Sequence, residues 1–445
     1  MPDIASPSAS TLNPAKTARQ RTDTFTSIWM MIAVAMAIAA LVAKSRMPQP
    51  LWTMIHLVTL GVLSNGIFQW SWFFARSLAR LSADDPRARR HNTIRVLIFN
   101  AFFALLFVSM WLGWMVGTVI AATGIAAVAA WHGAEMLSVL RERLASRFVI
   151  VVRYYVCSAS FFVLAALLAS FVTVTMFSPS IPEAMVAMRD RLTLAHALSG
   201  VAGWVGLTIG GTVITLGPTI LRTRMSPDAV SGGVRVLLPW CLSLLLAIAG
   251  ALLGVMPLVG AGILAVGACA IVGIVYPYAK VLRNKGPREY SAWSFLLGLL
   301  WISVGVCALG VAALFISTPS QLRALTLMWL PIIGIAGFAQ LFQGALSYLM
   351  PVVIGGGPSI VRIGIAIIDW QFPLRLGLRN SALILELFLF FAGDSTSVHV
   401  LRMAGWFLVI ATFVIDVVIY AKTGVTQARA RRARSETLSE SRQVQ

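Results

Sequence analysis

Charge is scarce in this sequence, and negative charge is scarcer still. Only 11% of the 445 residues are charged, against roughly 25% in an ordinary soluble domain, and 16 Asp and Glu face 35 Lys and Arg. A chain so poor in charge and 58% hydrophobic excludes a conventional water-soluble domain. Cysteine is equally sparse. Cys157, Cys241, Cys269 and Cys307 lie singly in apolar runs, so no disulfide framework or CxxC-type metal ligand set is present, and the four read as core residues. Histidine occurs five times, which limits any histidine-built metal centre. Hydrolase, P-loop and dinucleotide signatures are absent, and the glycine run at 355–357 precedes a proline without a preceding strand, so it reads as a flexible loop.

What the chain does have is a long series of apolar runs sufficient to cross about 30 Å of hydrocarbon. They predict an all-α polytopic membrane protein of about 12 spans, near 27–43, 51–76, 94–113, 115–139, 150–177, 192–220, 236–256, 258–279, 292–317, 324–354, 379–393 and 399–421. The segment 359–370 is too short to span and is expected to lie along the interface or tuck back. Residues 1–26, rich in Ser, Thr, Pro and Ala, read as a disordered cytoplasmic tail, 27–421 as a single membrane domain, and 422–445 as a basic cytoplasmic tail. The first span lacks a small-residue cleavage site and is taken as retained.

The net charge of +19 invites a nucleic-acid reading, but its distribution argues against one. With the N-terminus inside, the inner loops and tails hold 29 of the 35 Lys and Arg. That is the positive-inside pattern; it places both termini in the cytoplasm and makes the lipid bilayer, with its anionic headgroups, the basic residues' partner.

Spans 2, 6 and 10 then begin at the outer surface. His56, His196 and Trp329 each lie about five residues, or roughly 8 Å, inside it. His196, Gly211 and Pro218 have the spacing of Trp329, Gly344 and Pro351, an internal repeat over four spans that makes three four-helix units in twelve. An intramembrane histidine is a functional hypothesis by default, and neutral imidazole suits heme iron or copper. His56 and His196 are therefore the candidate heme or metal ligands. A buried histidine bonded to a neighbouring backbone group is the plainer alternative for each. His399 stands on the same side at a span boundary, where a solvated interfacial histidine competes with a further metal ligand.

Helical spacing draws His196, Gly200, Gly203, Gly206 and Gly210 into one stripe, matched by Trp329, Ile333, Ala336, Ala339 and Gln343 on span 10 and by His56, Leu60, Leu63, Gly66 and Trp70 on span 2. Small residues there serve close helix packing or clear room for a flat macrocycle. Gln343 is expected to share the His196 cavity. His132 and Glu135, three apart in HGAE, form either a proton-handling pair or a helix-end pair, and His91 reads as solvated. Glu386 and Asp416 have Arg379 or Lys422 as candidate partners and otherwise mark a proton path.

The passages HLVTLGVLSNGIFQWSWFF, HALSGVAGWVGLTIGGTVITLGP and FQGALSYLMP resemble the heme–copper oxidase subunit I superfamily. They look most like NnrS-type proteins and the actinobacterial membrane proteins often labelled copper oxidases. Nearly the whole chain is covered. The resemblance implies twelve helices in three units, heme or copper as cofactor, His56 at the low-spin heme position and His196 at the copper position, with a copper protein or electron-transfer partner on the outer face. It also implies what is missing. Span 10 offers Trp329 where the oxidases carry histidines, and span 7, LLPWCLSLLL, has none, so a complete oxygen-reducing centre cannot be built. Handling of nitric oxide or copper stress is the function it suggests. A twelve-span secondary transporter of the major facilitator type, to which the loop LSADDPRARR is vaguely similar, and a metal-free assembly or anchor subunit are the competing readings.

Overall fold

The computed structural model describes residues 25–37, 39, 49–82, 84–144, 148–177, 182–284, 286–393 and 395–443. Every regular element among them is helical. We number the helices α1 Phe25–Ala37, α2 Pro50–Leu78, α3 Arg87–Trp111, α4 Met115–Glu142, α5 Val149–Met176, α6 Met185–Ile220, α7 Pro227–Leu253, α8 Met256–Arg283, α9 Tyr290–Phe315, α10 Pro319–Ile354, α11 Pro358–Ile368, α12 Phe372–Leu389 and α13 Thr396–Gln443. The chain is an all-α polytopic membrane protein. Ten of these helices are long and apolar enough to cross a bilayer, where twelve spans were expected. The two remaining expected spans correspond to α1, whose described part is short, and α12, which carries three ionisable residues on its buried face. The 359–370 segment forms the short helix α11, as its length demanded. The tail assigned to residues 1–26 lies, except for its last two positions, outside the described residues.

The helices begin and end where the backbone requires it. Pro50, Pro358 and Pro373 stand in the first turns of α2, α11 and α12, where a missing N–H costs nothing. Gly355 and Gly357, with φ of 72° and 92°, make the turn between α10 and α11 that other residues would strain to adopt.

The chain divides into two compact units. One comprises Met1–Ile214, Gly233–Gly262 and Leu314–Pro319; the other comprises Thr215–Gly232, Ile263–Ala313 and Ser320–Gln445. The first has an aromatic core. Trp204 stacks on Phe162 with ring centroids 4.6 Å apart, Phe68 packs against Trp204 and Phe99, and the Trp204 indole donates to Ser64 Oγ at 2.9 Å. Asn65 and Asn100 exchange amide hydrogen bonds of 3.2 and 2.7 Å, and Trp29 Nε1 donates to Asn100 Oδ1 at 2.6 Å. Each amide thereby finds inside the protein the partner that hydrocarbon cannot supply.

The repeat read from the sequence has a structural counterpart. Gly211 lies against Tyr154 of α5, and Gly344 lies against Phe295 of α9. Both partners are the sixth residue of the helix that precedes the glycine's own. A π-helical segment also succeeds His56 (Leu57–Ser64), His196 (Leu198–Gly206) and, after one further turn, Trp329 (Ile333–Ala339). The expected stripes assumed α-helical spacing throughout; a π turn holds more residues and rotates the remainder of the helix. The stripes are therefore broken. Gly203 packs on Phe161, while Gly200 and Gly206 meet nothing closer than 3.8 and 3.5 Å.

Two terminal expectations are revised in shape. Helix α12 starts at Phe372, two turns before the expected span, because its two arginines share the Asp416 carboxylate within the fold. The basic tail 422–445 continues α13 unbroken to Gln443. Its side chains cap the end of α10: Gln427 Nε2 donates to Pro351 O at 2.6 Å and Gly355 O at 3.1 Å, Arg431 to Ile354 O at 2.8 Å, and Arg434 to Gly356 O at 3.0 Å. Pro351 O also accepts from Gly355 N at 3.1 Å, whereas Ile354 O is among the last carbonyls of the helix, which its end leaves without intrahelical partners.

The basic loop after α2 is ordered by charge. Arg87 pairs with Asp85 at 2.8 Å and with Glu142 at 2.6 Å, and Arg89 pairs with Asp84. The hydrogen bonds from Arg87 hold the Asp85 carboxyl below the usual carboxylate range. A carboxyl depressed in this way stabilises the fold above its unfolded-state pKa and loses that contribution as pH falls through its folded value. Asp85→Asn is thus expected to lower the thermal midpoint of the detergent-solubilised protein at neutral pH, with the deficit against the parent shrinking as the pH falls below about 4 and vanishing below the depressed folded-state value. In a second comparison, Gly344→Ala places a Cβ 2.5 Å from Phe295 N, backbone that cannot yield. It is expected to cost about 1–3 kcal/mol, whereas Gly66→Ala, with nothing within 4 Å, leaves the melting curve unchanged.

Candidate functional site

His56 and His196 come together. His56 ends the α-helical first turns of α2, and His196 lies two residues before the π segment of α6. Their rings are nearly parallel, 15° apart, with centroids 6.1 Å apart. His56 Nδ1 lies 2.9 Å from Trp52 O, one turn back on its own helix, and His196 Nδ1 lies 2.8 Å from Ala165 O on α5. A carbonyl only accepts, so each Nδ1 carries the hydrogen, and each Nε2 of the neutral imidazole keeps its lone pair. Trp52 stacks on His56 at 4.3 Å and 21°, with Phe107 beyond it at 6.4 Å. Thr53, next to Trp52, accepts from the Trp111 indole at 3.1 Å. The two histidines are thus held in orientation by backbone and aromatic contacts, the arrangement in which a metal-binding imidazole is usually fixed by its other nitrogen.

The geometry can be tested against a metal. Two imidazoles that bind one ion from opposite sides, at metal–nitrogen distances of about 2.0–2.1 Å, have ring centroids roughly 6 Å apart. The observed centroid separation of 6.1 Å is of that size. No group of three or more His, Cys, Asp and Glu side chains is placed to share an ion among the described residues, so a closed four-ligand structural site does not fit. Copper or heme iron, either of which two imidazoles can hold, would be bound by His56 and His196. His399 lies in the second unit, exposed in the first turn of α13.

The second unit contains a different polar centre. Asp416 of α13, wholly buried, is gripped by Arg375 through one carboxylate oxygen and by Arg379 through the other. Tyr290 Oη donates to the same Asp416 oxygen as Arg379, at 2.7 Å. The rest of each guanidinium is also satisfied. Arg375 donates to Ile368 O at 2.5 Å and to Trp370 O at 3.0 Å; Arg379 donates to Gln343 Oε1 at 2.7 Å and to Thr412 Oγ1 at 3.1 Å. The Arg375 and Arg379 guanidiniums lie over the Tyr290 and Phe413 rings, respectively. Tyr290 N donates to Asp369 Oδ1 at 2.8 Å; burial raises the Asp369 carboxyl above its ordinary value, against the opposing pull of that bond.

Several expected placements change. Gln343, expected to share a cavity with His196, gives its amide oxygen to Arg379 and Tyr290 within the second unit. Trp329 packs edge-on against Phe390 at 5.6 Å. His132 and Glu135 do not act as a pair. His132 is buried among Phe68, Trp72 and Trp204, with Nε2 3.3 Å from Ser71 Oγ. Glu135 accepts from His91 Nδ1 and Trp131 Nε1, each at 2.8 Å, and pairs with Arg95 at 3.2 Å. His91 is therefore engaged by a carboxylate and not simply solvated. Asp416 takes Arg379, one of the two candidates offered to both acids, whereas Glu386 does not.

Sequence reasoning missed Arg375 and Tyr290. Arg375 falls in what reads as an inner loop, and tyrosine gives no signal of its own. The i,i+4 spacing of Arg375 and Arg379, against a lone acid in the last span, was the available clue. Removing the acid leaves two buried guanidiniums without their counter-ion, which costs about 3–5 kcal/mol. Asp416→Ala is therefore expected to abolish monodisperse folded protein on size exclusion in detergent, while Lys422→Ala, at an exposed site, has no effect.

No family model matches the chain, and none of the curated proteins is significantly similar to it.

Proposed function

We propose that this protein is a multi-pass protein of the cell membrane, with both termini cytoplasmic, that binds heme or a single copper ion between His56 and His196. The observation that carries the reading is the facing pair itself: two imidazoles from different helices, 6.1 Å apart and 15° from parallel, each with Nδ1 committed to a backbone carbonyl. Resemblance to the heme–copper oxidase superfamily and to NnrS-type proteins supports the same residues.

In this reading His56 and His196 supply the two Nε2 lone pairs. Trp52 and the Ala165 carbonyl hold the rings in place, so little orientational entropy is lost on binding. The bound group supplies redox or ligand-binding chemistry near one face of the bilayer, within reach of a copper protein or electron-transfer partner. The protein's own contribution is orientation and exclusion of water. Handling of nitric oxide or copper stress is the role this suggests. The chain's own residues do not assemble an oxygen-reducing centre, since Trp329 and LLPWCLSLLL stand where further histidines would be needed.

One observation favours a second reading, a secondary transporter: the buried Arg375–Asp416–Arg379 cluster, since intramembrane charges mark ion and substrate paths. Against it, residues 233–262 group with the first unit, so the chain does not divide cleanly into two six-span halves.

An absorption spectrum and metal analysis of the purified protein test the proposal. One heme or one copper per chain is expected. His56→Ala and His196→Ala should each remove it, with the heme's Soret band lost in the first case or the copper content in the second, and His399→Ala should leave it in place. A colourless, metal-free protein after reconstitution with heme and copper overturns the reading and leaves the transporter and anchor alternatives.

A further inference from the structure

Helices α12 and α13 share a polar seam that the histidine pair does not use. On α12 the buried ionisable residues are Arg375, Arg379 and Glu386, whose spacings of four and seven place them on one face. Opposite them, α13 contributes Asp416, Thr412 and Gly405. One end of the seam is closed, because the charged groups around Asp416 are mutually satisfied. The other end is not. Glu386 is only 4% exposed, yet its Oε1 has no hydrogen-bond partner.

The surroundings show that this carboxyl is housed, not misplaced. A Cβ on Gly405 would strike Glu386 Oε1, so α13 leaves out a side chain at the point where the carboxyl sits. Arg402 is the charged group that acts on Glu386, but one of its guanidinium nitrogens donates to Leu389 O at 2.9 Å. The adjoining core is apolar, with Ala382, Leu383 and Val409 packed beside Ile332 and Ala336 of α10. One helical turn beyond Glu386, Phe390 packs against Trp329, whose buried indole N–H also lacks a partner. An acceptor and a donor are thus both left open in one corner of the unit. A carboxylate oxygen stripped of water and unpaired is expensive in hydrocarbon, whereas a neutral carboxylic acid is not.

We propose that Glu386 is an intramembrane proton-binding site that takes up a proton from water at the Arg402 end of the α12–α13 seam and releases it there. The step is simple addition of the proton to the carboxylate, with return to water as its reverse. The Asp416 cluster, fixed by two guanidiniums, does not take part. This site is separate from the histidine pair, and either can fail without the other.

The full-length protein in phosphatidylcholine vesicles, treated with the hydrophobic dicyclohexylcarbodiimide and analysed by peptide mass spectrometry, provides the test. That reagent forms a stable adduct with a protonated carboxyl inside the bilayer. Glu386 is expected to carry the adduct at acid pH, with labelling that falls about tenfold per pH unit above its midpoint, and Asp416 is expected to stay unlabelled. Glu386→Gln, nearly the same shape, should fold normally, lose the adduct and lose the infrared carbonyl band of a protonated acid. Absence of an adduct on Glu386 throughout the pH range, labelling that does not change with pH, or an infrared band that survives Glu386→Gln overturns the proposal.

Discussion

Hydrocarbon offers no hydrogen-bond partner, and that constraint organises the polar side of this structure. The helical backbone answers it within each segment, and the side chains must find their own solutions. Asp416 shows the strictest one. One carboxylate, two guanidiniums and the Tyr290 hydroxyl are closed upon each other, and the groups left over are absorbed by Gln343, Thr412 and two backbone carbonyls at the α11–α12 turn. The start of α12 is a result of this arrangement. Arginines that would otherwise have to reach water sit inside the helix because their counter-ion is there.

The first unit meets the same demand with less charge. Asn65 and Asn100 exchange amides, Trp204 finds Ser64, and Tyr155 pairs with Thr212 at 2.9 Å. Arg95, wholly buried, is shared between Glu135 and the rings of Trp72 and Trp131. Against that background the histidine pair stands apart. Its Nδ1 atoms obey the rule by using backbone carbonyls; the Nε2 lone pairs are those assigned to the bound group in the proposed function.

Much of this was legible in the sequence, and the reasons for the rest are physical. Composition and apolar runs sufficed for the fold class, since twenty apolar residues have few other uses. The four-span repeat led to His56 and His196 because matching depth on two helices is visible as spacing. Contacts that depend on rotation about a helix axis were harder to read. The stripes were drawn with α-helical periodicity, which π segments interrupt in α2, α6 and α10. His132 and Glu135 share a helix face but diverge to Ser71 and His91, because three-residue spacing says which side a residue is on and not which neighbour waits there. Hydropathy leaves Arg375 in a loop and Arg379 at the first position of a span because it scores each arginine alone, while their burial depends on Asp416, some forty residues later.

The π segments of α2, α6 and α10 have one more implication. A π turn accommodates an extra residue without breaking the helix, and so acts as a phase shifter: everything beyond it is rotated relative to everything before. In α6 the end bearing His196 and the end bearing Thr212, which meets Tyr155 of α5, are clocked separately. The angle at which each histidine is presented is therefore decoupled from the packing of the same helix lower down. One end of the span can change its chemistry, histidine in α6 and tryptophan in α10, while the other keeps its glycine, Gly211 or Gly344, against the preceding helix.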